Sequence, residues 1–306
     1  MSLTVQLISA SGDAEERPCL SAVLEREAYT PYARVTAEFP MTGTTVPDVL
    51  RIALRWEGQE VFLGLPDDVE RICRKGVWVV RVRSRSFSSL LTQNELAKGL
   101  HPDLTIGTLV QGFYQFPFVT YEDSPVTGYI YVKEGSSLWE SICCFTYKLT
   151  HHYPYVVKDK VMISPPTGGT IHTIDPALVT AYGRLTDTTK RLSGIHMENV
   201  SGEPDAYNET DPAALSLGIV RNRQIPFDRQ FLQHIQDALT SRLRFSQRGT
   251  QACYVEYAGF ADEELGERVS FGTLMQAMTI CRVRMVWSGK GIRTRIWAYQ
   301  DGYYNG

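Results

Sequence analysis

His151 and His152 are the residue pair in this chain best suited by type to acid–base or metal chemistry. Their spacing argues against both. Neighbouring side chains point to opposite faces of a strand, and on a helix they diverge by about 100°. Neither arrangement presents two imidazoles to one metal, and the chain has no HExxH pattern. Placed just before Pro154, they fit a polar helix end, where a cationic group also suits the helix dipole. Gly168-Gly169 and Gly289-Lys290-Gly291 suggest phosphate loops only superficially. A P-loop needs Ser or Thr after its lysine, and here Gly291 follows Lys290, so both read as hairpin turns. A GxSxG nucleophile elbow is missing. The carboxylate pairs Asp67-Asp68 and Glu263-Glu264 sit beside Pro66 and Gly266 and read as solvated turns. The six cysteines include no CxxC, so neither a zinc knuckle nor a redox pair is expected; they read as reduced, small hydrophobes. No catalytic, cofactor or metal set emerges, and the chain is expected not to be an enzyme.

The arginines form the more distinctive pattern. Arg282, Arg284, Arg293 and Arg295 fall on one face of a terminal hairpin if its register is regular, and Arg81, Arg83 and Arg85 form a similar row. Like charges side by side on a sheet repel and require counter-ions or water. A solvated face is the simple reading. A subunit interface is the sharper one, because arginine is enriched there and pairs with a neighbour's carboxylates. A nucleic-acid stripe fits less well, since the formal charge is −3 and the pI is about 6.1.

The elements that must carry these residues are mostly strands. Leu50, Ile52, Leu54 and Trp56 alternate with Arg51, Ala53, Arg55 and Glu57, as in a half-buried strand, and Val61, Leu63 and Leu65 resume the pattern after a turn at Gly58-Gln59. A further strand follows Lys75-Gly76. Ser137-Leu-Trp-Glu140 is a capping box, and Leu138, Ile142, Phe145 and Leu149 then recur at helical spacing up to Pro154. Asp228 is a good helix N-cap, with Phe227 and Leu232 as a staple and Phe231, Ile235, Leu239 and Leu243 as the buried stripe. Cys281, Val283, Met285 and Trp287 open the last hairpin, which turns at 288–291 and returns through Ile292, Thr294 and Ile296.

With 306 residues, 43% hydrophobic and 21% charged, the chain is an ordinary globular one of about two domains. Its N-terminus lacks a signal-peptide pattern, and the longest uncharged stretch, 104–121, is broken by Gly107, Gly112 and Pro117, so no membrane span is expected. The expected division is a first β unit at 1–90, an α/β segment at 91–165, and a second β unit at 166–306 with one helix at 227–243.

Three segments, in order, resemble one family. They are VRVRSRSFSSLLTQNE (80–95), YVKEGSSLWESICCFTYKLTHHYPYVVKDKVMISPP (131–166), and RLSGIHMENVSGEPDAYNETDPAALSLGIVRNR (191–223). They are similar to the baseplate hub proteins of contractile phage tails, the late-control protein D and Mu-like 43-kDa tail proteins, which are related to type VI secretion spike proteins. The resemblance implies an α+β, mainly β fold of two tube-type antiparallel β-barrel domains with an intervening α/β segment. It implies a homotrimer whose six barrels adapt the sixfold tail tube to the threefold puncturing spike, with DNA only in transit through the lumen. Assembly in the host cytoplasm and a final place in the virion tail follow. The chain stops at GYYNG with no spike module, so the spike is expected to be another protein. Two alternatives stand beside this. One is a hub of a type VI or other contractile injection system. The other is a cell-wall binder, because YIYVKEGSSLWESI (129–142) resembles the start of a LysM unit, although 151–166 lacks the rest of that motif.

Overall fold

The computed structural model describes residues 2–41, 49–124, 126–166, 169–227, 229 and 235–299. Its N-terminal part consists of strands β1 (Leu3–Ile8), β2 (Ala14–Pro18), β3 (Ser21–Glu27), β4 (Arg34–Pro40), β5 (Arg51–Trp56), β6 (Gln59–Arg74) and β7 (Val77–Ser86). All pair antiparallel, in the order β3-β4-β7-β6-β5-β1-β2. Alternation puts Leu3, Val5, Leu24, Val35, Phe39, Val80 and Val82 into one core. The β5–β6 hairpin expected from the sequence is present, with Ile52 opposite Gly64 and Leu54 opposite Phe62. Its turn falls one residue early, at Glu57-Gly58, both at positive φ (50° and 82°). These strands are covered on both faces rather than one, because Leu63 and Leu65 pack against the next core.

That second core belongs to the middle segment: β8 (Gly99–Leu104), β9 (Thr120–Tyr121), β10 (Gly128–Val132), α1 (Leu138–Thr150), β11 (Tyr155–Val157) and β12 (Lys160–Met162). The capping box forms as read. Ser137 Oγ accepts the Glu140 amide at 3.2 Å, and Glu140 Oε2 accepts the Ser137 amide at 2.8 Å. Leu138, Ile142 and Phe145 are buried together, with Leu149 partly so. The helix closes on His151 in the left-handed region (φ 56°), whose amide donates to the Tyr147 carbonyl at 2.8 Å.

The rest comprises β13 (Ile171–Thr173), β14 (Val179–Leu185), β15 (Gly194–Met197), β16 (Tyr207–Thr210), α2 (Pro212–Ser216), β17 (Asn222–Ile225), α3 (Ile235–Gln247), β18 (Ala252–Ala258), β19 (Arg268–Phe271), β20 (Met275–Ser288) and β21 (Gly291–Tyr299). Leu239 and Leu243 of α3 bury against Ile195 and Met197, and Ile235 is partly buried there. The expected cap Asp228 and the stripe residues Phe231 and Leu232 lie outside the described residues, as do Gly168 and the final GYYNG.

The expectation of two tube-type barrels requires correction at the level of the ladders, which among the described residues do not close into barrels. β20 pairs with β21 on one side and with β3 on the other, Val283 opposite Arg26 and Met285 opposite Leu24. The two β-rich parts are therefore one sheet, in the order β14-β18-β21-β20-β3-β4-β7-β6-β5-β1-β2, with β13 and β19 branching from β20. The physical reason lies in β20. Positive φ at Ala277 and a register shift between Ile280 and Arg282 bend it, so its start pairs with β19 and its end with β3. Over β3, β4, β7, β20 and β21 one face is apolar and carries two adjacent cores. The other face of these strands carries the charges.

Candidate functional site

The sheet register decides which arginines meet. Arg284 stands opposite Arg295, Arg282 opposite Trp297, and Arg293 opposite Val286. All four arginines singled out from the sequence therefore share one face of the β20–β21 hairpin, opposite to buried Val283, Met285, Ile292 and Ile296. On β7, Arg81, Arg83 and Arg85 form the second row. The continuous sheet joins the two. A single file of opposed residues runs Glu256, Arg295, Arg284, Glu25, Arg34 and Arg85 across β18, β21, β20, β3, β4 and β7.

The repulsion expected between facing arginines is relieved inside the chain. Arg295 Nη2 lies 2.6 Å from Glu256 Oε2, and Arg293 Nη1 lies 3.7 Å from Glu256 Oε1. Arg284 Nε is 3.1 Å from Glu25 Oε1. Arg282 stacks over the Trp297 ring at 4.8 Å, with Glu27 as its cross-strand neighbour on β3. On the second row, Arg85 grips Asp67 with Nε at 2.8 Å and Nη2 at 2.6 Å, while Arg83 reaches Asp68 at 3.0 Å. Arg81 and Arg74 both donate to Glu38, each at 2.8 Å at closest. Burial pushes the Glu38 carboxyl up, but hydrogen bonds from Arg74 and Arg81 outweigh it and hold the group below the usual carboxylate range. The hydrogen bond to Asp67 raises Arg85 further, against the opposing effect of burial.

These pairs are mostly half-exposed, so each is worth about 0–1 kcal/mol. Planar guanidinium groups alternating with carboxylates can exchange partners with a second surface of the same kind. Among the described residues no group of three or more His, Cys, Asp or Glu is placed to hold a metal. No described helix is long and apolar enough to cross a membrane. His151 serves as the left-handed cap of α1, its ring 5.6 Å from Tyr147. The counter-ions Glu25, Glu38 and Glu256 escaped notice in the sequence, although Glu25 and Glu27 stand at alternate positions of β3, the pattern of a polar sheet face. Asp67-Asp68 occupies a register shift beside β7 and pairs with its arginines. Glu263-Glu264, expected in a solvated turn, is buried.

No protein-family model and no curated protein matches the sequence. Solved structures do match along the whole chain. A tail protein from Neisseria meningitidis MC58 superposes with a TM-score of 0.73 at 14% identity, covering 100% of this chain and 98% of its own. The 43 kDa tail protein of prophage MuSo2 from Shewanella oneidensis gives 0.71 at 12% identity, with 100% and 99% covered. The E. coli c3393 protein, a type VI secretion component described as similar to T4 tail proteins gp27 and gp5, gives 0.58 at 8% identity, covering 100% of this chain and 79% of that one. From end to end, the chain has the fold of the phage tail proteins that its sequence resembles.

Proposed function

We propose that this protein is the baseplate hub of a contractile phage or prophage tail, a structural ring component without catalytic residues or cofactor. The observation that carries this reading is the end-to-end match, 100% of this chain against 98% and 99% of two tail proteins. A symmetry adapter needs only the body that this chain shares with those tail proteins. In this reading residues 1–90 and 166–306 act as two tube-type units joined through β20, with 91–165 between them. Three copies close into a homotrimeric ring of six such units by repeating one heterologous contact. The tail tube protein stacks on one side and a separate spike protein on the other, and DNA only passes through the lumen. The chain assembles in the host cytoplasm and ends in the virion tail.

The face bearing Arg282, Arg284, Arg293 and Arg295 is the proposed contact between neighbouring copies. Light scattering on the size-exclusion peak, with negative-stain images of the same fraction, tests the assembly. A mass of three chains and ring-shaped particles is the expected result. A chain that stays monomeric when mixed with its tail tube and spike proteins overturns it. The type VI reading rests on a weaker match, which leaves a fifth of that relative uncovered, and is not preferred.

A further inference from the structure

Arg26 breaks the apolar face of the sheet. It follows Ala22 and Leu24 on the buried side of β3 and stands opposite Val283, where the two β cores meet. Only 5% exposed, its guanidinium must be neutralised where it lies. Nη1 donates to the Glu263 carbonyl at 2.8 Å. Nη2 donates to the Val61 carbonyl at 2.8 Å and to Asp262 Oδ1 at 2.9 Å, which uses both of its hydrogens. Glu264 Oε1 lies 3.0 Å from the same nitrogen, yet no hydrogen is left for it. Neither carboxylate oxygen of Glu264 has a hydrogen-bond partner among the described residues, although Glu264 is only 6% exposed.

The side chain lines a cavity of about 250 Å³ shared with Arg26, Val61, Phe62, Lys158 and Asp159. Charged groups face it from β3, β6, the β11–β12 turn and loop 259–267, while the β3–β4 loop contributes Thr30, Tyr32 and Ala33, and Ser86 and Phe118 complete the wall. Lys158, on the β11–β12 turn, is bound to Asp262 Oδ2 at 2.8 Å and stays 4.0 Å from Glu264. Asp159 accepts the Ser88 amide at 2.8 Å. Exposed Glu60 stands at the rim, on β6. Within the loop, Glu263 accepts the Tyr257 hydroxyl and the Ala261 amide. Glu267 accepts the Glu264 amide at 2.8 Å and pairs with His172 of β13 at 2.7 Å. Among these buried carboxylates, Glu264 alone accepts no hydrogen.

We propose that this cluster is a proton-operated clasp: a proton on Glu264 fastens loop 259–267 and the Lys158 turn to β3, and its release loosens the junction of N-terminal sheet, middle segment and C-terminal strands. A protonated Glu264 supplies the missing hydrogen among the acceptors crowding Arg26. An ionised one places a buried negative charge beside a guanidinium already paired with the partly exposed Asp262. Burial pushes the Glu264 carboxyl up to about 7, against the pull of Arg26 and with Asp262 and Glu267 adding to the rise.

The sign follows from a folded-state value above the ordinary 4.5. The folded chain binds the proton more tightly than the unfolded one, so stability is highest at the acid end of that interval. It declines as pH rises towards 7 and levels off beyond. Inside the interval the local opening equilibrium rises up to about tenfold per pH unit. The experiment compares thermal midpoints from pH 5 to 8.5 for the wild type, Glu264→Gln and the exposed control Glu60→Gln. A midpoint falling up to pH 7 in the wild type and Glu60→Gln, and markedly flatter in Glu264→Gln, is expected. Equal slopes in all three overturn the clasp. Should Glu264→Gln fail to fold, hydrogen exchange of wild-type peptides covering 155–160 and 259–267 decides the matter, after correction for intrinsic rates. Greater protection at pH 5.5 than at 7.5 supports the clasp, and equal protection overturns it.

Discussion

Glu38 is held by two arginines at once, Arg74 at 2.8 Å and Arg81 at 2.8 Å, while its side chain is 14% exposed. Replacement by Gln takes the shared carboxylate from both guanidinium groups and leaves Arg81 only Glu70, 3.2 Å away, so a loss of about 1 kcal/mol is expected. Because the folded-state carboxyl lies below its ordinary 4.5, its contribution is present above that value and is lost as pH falls through the lower folded one. Urea midpoints between pH 6 and 3 should therefore fall less steeply in Glu38→Gln than in the wild type. Parallel curves would remove Glu38 from the acid response. At this scale the sequence showed which arginines share a face but not what neutralises them. Glu38 meets Arg81 only because β4 pairs with β7 across residues 43 positions apart in the chain, a pairing that local alternation does not encode. The same gap concealed Glu264. A Glu-Glu step beside glycine looks like a surface turn unless one knows that Arg26 lies beneath it.

Helix α1 is the element most fully legible beforehand, because its start, stripe and stop are all local. Ser137 and Glu140 satisfy each other's amides, and Ser137→Ala should cost about 1 kcal/mol in chemical denaturation. An unchanged midpoint would mean that packing alone holds the N-terminus. Phe145 is 1% exposed in the core of the middle segment, so Phe145→Ala should cost about 3–5 kcal/mol by leaving a cavity. A loss below 1 kcal/mol would show that this core collapses freely around the gap. The hairpins β5–β6 and β20–β21 were legible for the same reason: glycine turns and period-two alternation lie within a few residues of each other. The short strands β9 and β15–β17 were not, since parallel partners such as β15 and β17 are separated by a strand and α2.

Across the whole molecule, the decisive feature is the β3–β20 seam, which joins residues 22–27 to 282–287. Nothing local announces it, because an alternating strand is compatible with any alternating neighbour. That is why the alternating strands were legible while their joining into one sheet was not. The seam also aligns Glu25 with Arg284 and so makes one charged face out of two halves. Arg284 and Arg295 are each held by a carboxylate of their own chain. A neighbouring copy that docks here must offer carboxylates of its own or exchange partners with Glu25 and Glu256. Reversing both arginines, Arg284→Glu with Arg295→Glu, places like charges beside Glu25 and Glu256 while leaving the buried face of the hairpin untouched. If the face is the contact between copies, the double variant should keep its circular dichroism and elute mainly as single chains at physiological salt. The wild type should lose assembly as salt is raised, since exposed pairs are screened. An assembled double variant with unaltered salt dependence would make the belt a solvated surface and move the contact elsewhere. The sheet edges β2 and β14 would then be the next surfaces to block, because each lies at an end of the strand order with one side unpaired by any described strand.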